Sequence, residues 1–352
     1  MARESRRFAP SNRRSEEKIR NLGPEKLGLP LPGVALPPQR PVEPLQSEIA
    51  DDDPLLVRVK QLLQDGYAGV IFSGPPGTSK SWYAGQIAAK LADNDPERVR
   101  SIQFHASYQY EDFVEGFVPR KGKRSGFKLQ GKHLLEMINA ANRANGRLCV
   151  LVIDEFSRGD PGRIFGEALT YLEMSKRDKE FLLASGSSVS IPKNLVFLAT
   201  MNPLDRSVDE VDAAVERRFA KVEMSPDADR LKVILAKNGL DPELTSRIVR
   251  FFEAVNARAG SEFARLGQAY FNPVRDEDGL RRLWENQLQF YFSKAYRLDQ
   301  DGLDDIKKLW KRVFEGRPGG SGSAAGTAPA SSSNESGGPG TAVEAGQDRG
   351  GS

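Results

Sequence analysis

Three short apolar runs stand out along the chain. GVIFSG (69–74), LCVLVIDE (148–155) and NLVFLATMN (194–202) are rich in β-branched residues and read as strands buried on both faces of a parallel sheet. Between and beside them, segments 81–92, 133–144 and 163–174 carry apolar residues at three- and four-residue spacing, the mark of helices with one buried face. Such alternation predicts an α/β fold, a parallel sheet sandwiched by helices. Beyond about Pro226 the strand pattern stops, and 231–240, 244–257, 278–291 and 303–314 all read as helices. A small helical lid domain is expected there.

Both ends lose this patterning. Residues 1–20 hold seven Arg or Lys against three Glu, and 21–50 contain seven prolines, which deny a helix or central strand both N–H donors and freedom in φ. A basic, mostly extended arm is expected over 1–50, read either as a leader without a ligand or as a phosphate-binding arm for nucleic acid. From Arg317 to Ser352 there is no Leu, Ile, Phe, Tyr, Trp or Met, so nothing there offsets the entropy of ordering, and a flexible tail is expected. The expected division is therefore 1–50 arm, 51–225 α/β domain, 226–316 helical lid and 317–352 tail. No window approaches about 18 uninterrupted apolar residues, and the first residues lack an apolar signal core, so neither a membrane span nor secretion is expected. One cysteine (Cys149) and two histidines (His105 and His133) exclude a disulfide framework and a His/Cys zinc cage, and suit a cytoplasmic setting. The net charge of +3 is too small to argue for nucleic acid by itself.

Chemistry enters at the end of the first strand. Gly74-Pro75-Pro76-Gly77-Thr78-Ser79-Lys80-Ser81 follows a buried strand, opens a helix, and matches a phosphate-binding P-loop at every position but one. Backbone N–H groups and the positive helix end would cradle the phosphates, Lys80 would reach across as a cation, and the Ser81 hydroxyl would hold Mg²⁺. Ser79 stands where the pattern has glycine, and its small side chain should leave phosphate approach intact. The second apolar run delivers Asp154 and Glu155 at its C-terminal end, the edge where open α/β sheets bind ligands. Asp154 would hold Mg²⁺ through water, and Glu155 would orient or deprotonate an attacking water. Asn202 closes the third run beside the expected γ-phosphate. Over 208–217 a short helix is expected, ending in Arg217, Arg218 and Phe219. That arginine pair reads either as a partner for the helix C-terminus or as an arginine finger for a neighbouring subunit.

Longer strings carry a resemblance to AAA+ ATPases, and within them to the McrB-like group, the NTPase motors of modification-dependent restriction systems. QFHASYQYEDFVEGF (103–117) resembles that group's segment after the second strand. MNPLDRS (201–207), followed by Arg217-Arg218-Phe219, resembles a second motif, and LGQAYF (266–271) a third, with Gln268 and Ala269 replacing His and Ser. What the resemblance implies is a hexameric ring with ATP or GTP and Mg²⁺ bound between subunits. Lys80, Ser81, Asp154, Glu155 and Asn202 would act in cis and Arg218, with Arg217, in trans. Asp205 and Arg206 would line the subunit boundary. The aromatics of 105–112 either pack the sheet edge or meet the nucleotide. Segment 121–127 (KGKRSGF) reads as a basic hairpin tip facing the ring pore or as a solvated turn.

The chain departs from that group in showing neither a base-reading domain ahead of the motor nor a nuclease motif. The resemblance therefore implies a separate effector or nuclease subunit, with nucleic acid reached through it. Two further functions compete: a MoxR-type remodelling chaperone, and a nucleotide-dependent scaffold that does not hydrolyse.

Overall fold

The computed structural model describes residues 46–120, 126–203 and 213–315. The expected arm up to residue 45, the basic segment 121–125, Asp205, Arg206 and the tail from 316 lie outside the described residues, as does the 208–212 part of the expected short helix.

The first helix among the described residues, α1 (Pro54–Gln64), starts where the Asp53 carboxylate accepts from the N–H groups of Leu55 and Leu56. It leads into β1 (Gly69–Ser73), then α2 (Lys80–Leu91), β2 (Val99–Gln103), the hairpin strands β3 (Glu115–Pro119) and β4 (Phe127–Gly131), α3 (His133–Arg143) and β5 (Cys149–Asp154). A second, short hairpin follows, β6 (Phe181–Leu182) with β7 (Ser188–Val189), before β8 (Leu195–Met201) and β9 (Phe219–Glu223). Five strands form one parallel sheet in the order β2-β5-β8-β1-β9.

Alternation along the strands explains why three of them read as unbroken apolar runs. Ile71, Leu151 and Phe197 point into a core with Phe104, Phe113, Phe156 and Phe165. Val70, Phe72, Val150, Val152 and Leu198 point to the opposite face, against Leu56, Val59, Ala84 and Ile87 from α1 and α2. Both faces are dry, so the positions before the C-terminal ends of these strands are apolar on both sides. β9 sits at the sheet edge beside β1, and β2 at the other. There the polar positions Lys221 and Glu223 are exposed, and no apolar run announces the strand.

After β9 the described chain is helical: α4 (Ala228–Lys237), α5 (Pro242–Arg258), α6 (Glu277–Leu283), α7 (Gln289–Ala295) and α8 (Gln300–Phe314). Asp227, Asp241, Asp276 and Asp299 cap α4, α5, α6 and α8 by accepting backbone N–H bonds. A separate core, including Leu231, Ile248, Phe252, Phe271, Phe292 and Ile306, lies among them.

Two expected helices differ from those observed. The one expected over 163–174 is two short pieces, Pro161–Phe165 and Ala168–Tyr171. They part at Gly166, whose φ of 53° is left-handed and against whose Cα the Tyr110 ring packs, so that a Cβ there would lie 2.9 Å from the ring carbons. The one expected over 278–291 contains a π turn, Trp284–Leu288, between α6 and α7. Trp284 stacks on Trp310 of α8 at that turn, ring centroids 4.9 Å apart.

Candidate nucleotide-binding site

The parallel registers bring the C-terminal ends of β1, β5 and β8 to one edge. Ser73 lies opposite Met201, and Ile153 opposite Ala199, so the residues following Ile153 and Ala199 come out side by side. Their side chains meet there. The Thr200 hydroxyl donates to Asp154 Oδ1, the Ser81 hydroxyl donates to the same oxygen at 2.8 Å, and the Glu155 N–H donates to Thr200 Oγ1 at 3.2 Å. Asp154 is thus aimed at the first turn of α2, 73 residues upstream.

The 74–81 loop is shaped by close approaches and two left-handed residues. A Cβ on Gly74 would lie 2.2 Å from the Met224 carbonyl oxygen. Gly77 has φ 79° and Ser79 φ 66°, bracketing buried Thr78, whose hydroxyl donates to the Pro75 carbonyl at 3.0 Å. Curling of this kind turns successive backbone N–H groups toward one concavity, the arrangement that holds phosphate oxygens. It also explains why the P-loop pattern calls for glycine at position 79: a left-handed conformation costs a residue with a Cβ roughly 1–2 kcal/mol. Ser79 carries that strain. Lys80 Nζ donates to the carbonyls of Gly74 and Pro75, both at 2.8 Å, which holds the ammonium over the loop.

A cavity of about 340 Å³ opens over this edge. Pro76, Gly77, Ser79, Lys80 and Ser81 line one wall, Glu155, Arg158, Thr200, Met201 and Asn202 another, and Ala269 from the helical part closes a side. Glu155 has φ 53°, a strained conformation of the kind concentrated at working sites. Its carboxylate accepts from Arg158 Nε at 3.0 Å.

Sequence reasoning missed four wall residues or contacts: Arg158, the Thr200 hydroxyl, Trp82 and the 267–270 segment. Arg158 follows Glu155 by one 3-10 turn, a local signal that spacing could have given. The 267–270 segment stood out as part of a motif, but its contact with the loop joins distant parts of the chain and has no local signal.

The donor set fits a magnesium ion that arrives with its phosphates. Ser81 and Asp154 offer hard oxygen donors in contact with one another. Among the described residues no group of three or more His, Cys, Asp or Glu forms a self-sufficient metal cage. Magnesium favours this arrangement, one or two protein oxygens with the rest from water and substrate.

The two arginines after the 208–217 segment are placed differently. The Arg217 side chain is exposed, whereas Arg218 is only 4% exposed, donating through Nη1 to the Ala214 carbonyl with Nη2 3.9 Å from Glu173. Neither lines the cavity. The aromatics around 104–113 pack the sheet edge. Phe104 and Phe113 are fully buried, Tyr108 and Tyr110 pack against the same core, and the Tyr110 hydroxyl donates to Glu167 at 2.8 Å. Burial, then the Glu167 carboxylate, pushes the Tyr110 phenol well above its ordinary range. Exposed His105 meets the Tyr108 ring edge-on, centroids 5.3 Å apart.

Comparison with known proteins follows the same stretch. Residues 69–219 match the family described as AAA domain (dynein-related subfamily). The chain is 28% identical over 210 residues to the Type IV methyl-directed restriction enzyme EcoKMcrB subunit of Escherichia coli (strain K12), covering 57% of this chain and 45% of that protein. It is 22% identical over 188 residues to the Type II restriction enzyme BsuMI component YdiS of Bacillus subtilis (strain 168), covering 43% of this chain and 55% of that protein. The chain thus spans about half the length of the curated relatives it matches. A P-loop, an acidic strand end and a polar third strand end thus converge on one cavity of a β2-β5-β8-β1-β9 sheet, within the stretch that matches the AAA domain (dynein-related subfamily), and these findings support an McrB-like AAA+ ATPase.

Proposed function

We propose that the protein is a nucleoside-triphosphatase subunit that binds ATP or GTP with Mg²⁺ in the 340 Å³ cavity and couples its hydrolysis to a partner acting on nucleic acid. One observation carries the chemistry: Ser81, Asp154 and Thr200, from three separate elements, share contacts at the mouth of a loop that curls its backbone around a concavity. Bound magnesium would neutralise charge on the phosphate oxygens. Ser81 and Asp154 would hold it, and Lys80 would exchange its loop carbonyls for phosphate oxygens. Glu155 would take a proton from water as its oxygen attacks the γ-phosphorus, while the bond to the β-phosphate oxygen breaks and the nucleoside diphosphate leaves. Asn202 would orient that water. The Glu155–Arg158 contact does not stand in the way: with the two side chains 31% and 49% exposed, releasing it costs less than about 1 kcal/mol.

The reading extends to a ring, because the cavity supplies no arginine from positions 217 and 218 of its own chain. Of the pair, Arg217 would reach a neighbouring subunit, a reading supported by its exposure, and buried Arg218 would support the turn that carries it. A restriction-type system is favoured over a remodelling chaperone because both relatives are named as restriction-enzyme components. The direct test is phosphate release from ATP and from GTP by the purified chain, with and without Mg²⁺, alone and with a candidate nuclease subunit. Magnesium-dependent release from either nucleotide supports the reading, and no release from both under all conditions overturns it.

A further inference from the structure

Two of the positions at which the chain departs from the motifs it resembles, Ser79 in the loop and Gln268 in the helical part, meet in space. Gln268 is 1% exposed. Its Oε1 accepts from the Asp227 N–H at 3.3 Å, which fixes the amide's orientation and leaves Nε2 to donate to Ser79 Oγ at 3.4 Å. Asp227 is the N-cap of α4, the first helix after the sheet. One buried amide therefore links the strained corner of the phosphate loop to the start of the helical part.

Its neighbours reinforce the link. The Ala269 N–H donates to the Gly77 carbonyl at 2.8 Å, the Tyr270 ring lies against the Gly77 Cα, and Gly267 abuts the Gly77 backbone closely enough to exclude any side chain. Residues 267–270 form a strut with four contacts on two loop residues, three on Gly77 and one on Ser79. A glycine at position 79 would lack the hydroxyl that Gln268 uses.

We infer that Gln268 is a positioning residue for the phosphate-binding loop, holding Ser79 in its left-handed conformation and tying that conformation to the placement of α4, so that triphosphate affinity and the seating of the helical part rise and fall together. The inference rests on the loop's being the triphosphate site. The direction of coupling follows from reciprocity: if seating the strut favours the phosphate-ready loop, bound phosphate favours the seated strut equally.

The test is a double-mutant cycle on the full chain with Gln268→Leu, Ser79→Gly and both together, read two ways: Mg-ATP and Mg-GTP affinity by calorimetry, and amide hydrogen exchange of 77–81 without nucleotide. Gln268→Leu alone should weaken nucleotide binding about three- to tenfold and speed exchange at 77–81. In the Ser79→Gly background the same change should do markedly less. Equal effects of Gln268→Leu in both backgrounds would overturn the inference, as would unchanged affinity and exchange alongside a lowered Tm, since a purely structural glutamine predicts those results. If the parent binds no nucleotide, the proposed function fails on its own, and the exchange cycle still decides for or against the Gln268–Ser79 link.

Discussion

Replacing Gly267 by alanine would place a methyl group where the phosphate loop already lies. The added Cβ would sit 2.1 Å from the Gly77 carbonyl carbon, 2.3 Å from its oxygen and 2.5 Å from the Pro76 oxygen. Carbon contacts settle near about 3.5–4.0 Å, so loop and strut must separate by more than roughly 1 Å. All three neighbours are backbone, and no rotamer change relieves the clash. Overpacking of this kind costs about 1–3 kcal/mol, and each 1.4 kcal/mol or so that falls on the loop weakens nucleotide binding about tenfold. Gly267→Ala should therefore bind Mg-ATP about five- to 150-fold more weakly than the parent by isothermal calorimetry, with Tm lowered by a few degrees. Gly260→Ala is the control, because a Cβ there meets open space and the backbone φ is ordinary. Should Gly267→Ala bind and melt like Gly260→Ala, the packing of the strut on the loop is refuted.

Three other outcomes follow from the same contacts. Arg177 is buried, with Nε on the Leu172 carbonyl and Nη1 on those of Pro192 and Leu195, and its burial lowers the guanidinium pKa to about 10. It stays charged at neutral pH, so Arg177→Met strands three carbonyls and should cost about 2–4 kcal/mol in urea unfolding, with no turnover effect beyond that from unfolding. Burial, then Arg100, lowers the His133 pKa below the ordinary 6.5. The unfolded chain then binds the proton more readily, so this residue's contribution is lost as pH falls below about 6.5, and the urea midpoint of the parent should drop more steeply between about pH 7 and 5 than that of His133→Gln. Arg217→Ala should lower turnover in the assembled protein and leave Tm unchanged, whereas Arg218→Ala should lower Tm first.

What could be read from the chain depended on whether the physics was local. β1, β5 and β8 were legible because burial on both faces leaves the run apolar up to its C-terminal end, and the chemistry at those ends sits in contiguous strings. β9 escaped because an edge strand of five residues with Lys221 and Glu223 exposed has neither a run nor a long alternation. The helix expected over 163–174 kept its spacing but not its backbone, since Gly166 answers to the Tyr110 ring from a segment more than fifty residues away. Ser79 and Gln268 looked like two unrelated departures, and only the fold shows them in contact across 189 positions.

The central claim is that Glu155 activates water against a triphosphate held in the cavity. Its most direct test is Glu155→Gln, assayed for Mg-nucleotide affinity and for phosphate release in parallel. The account predicts affinity within a few fold of the parent and release slowed by roughly 10²–10⁴. Release at the parental rate would contradict it.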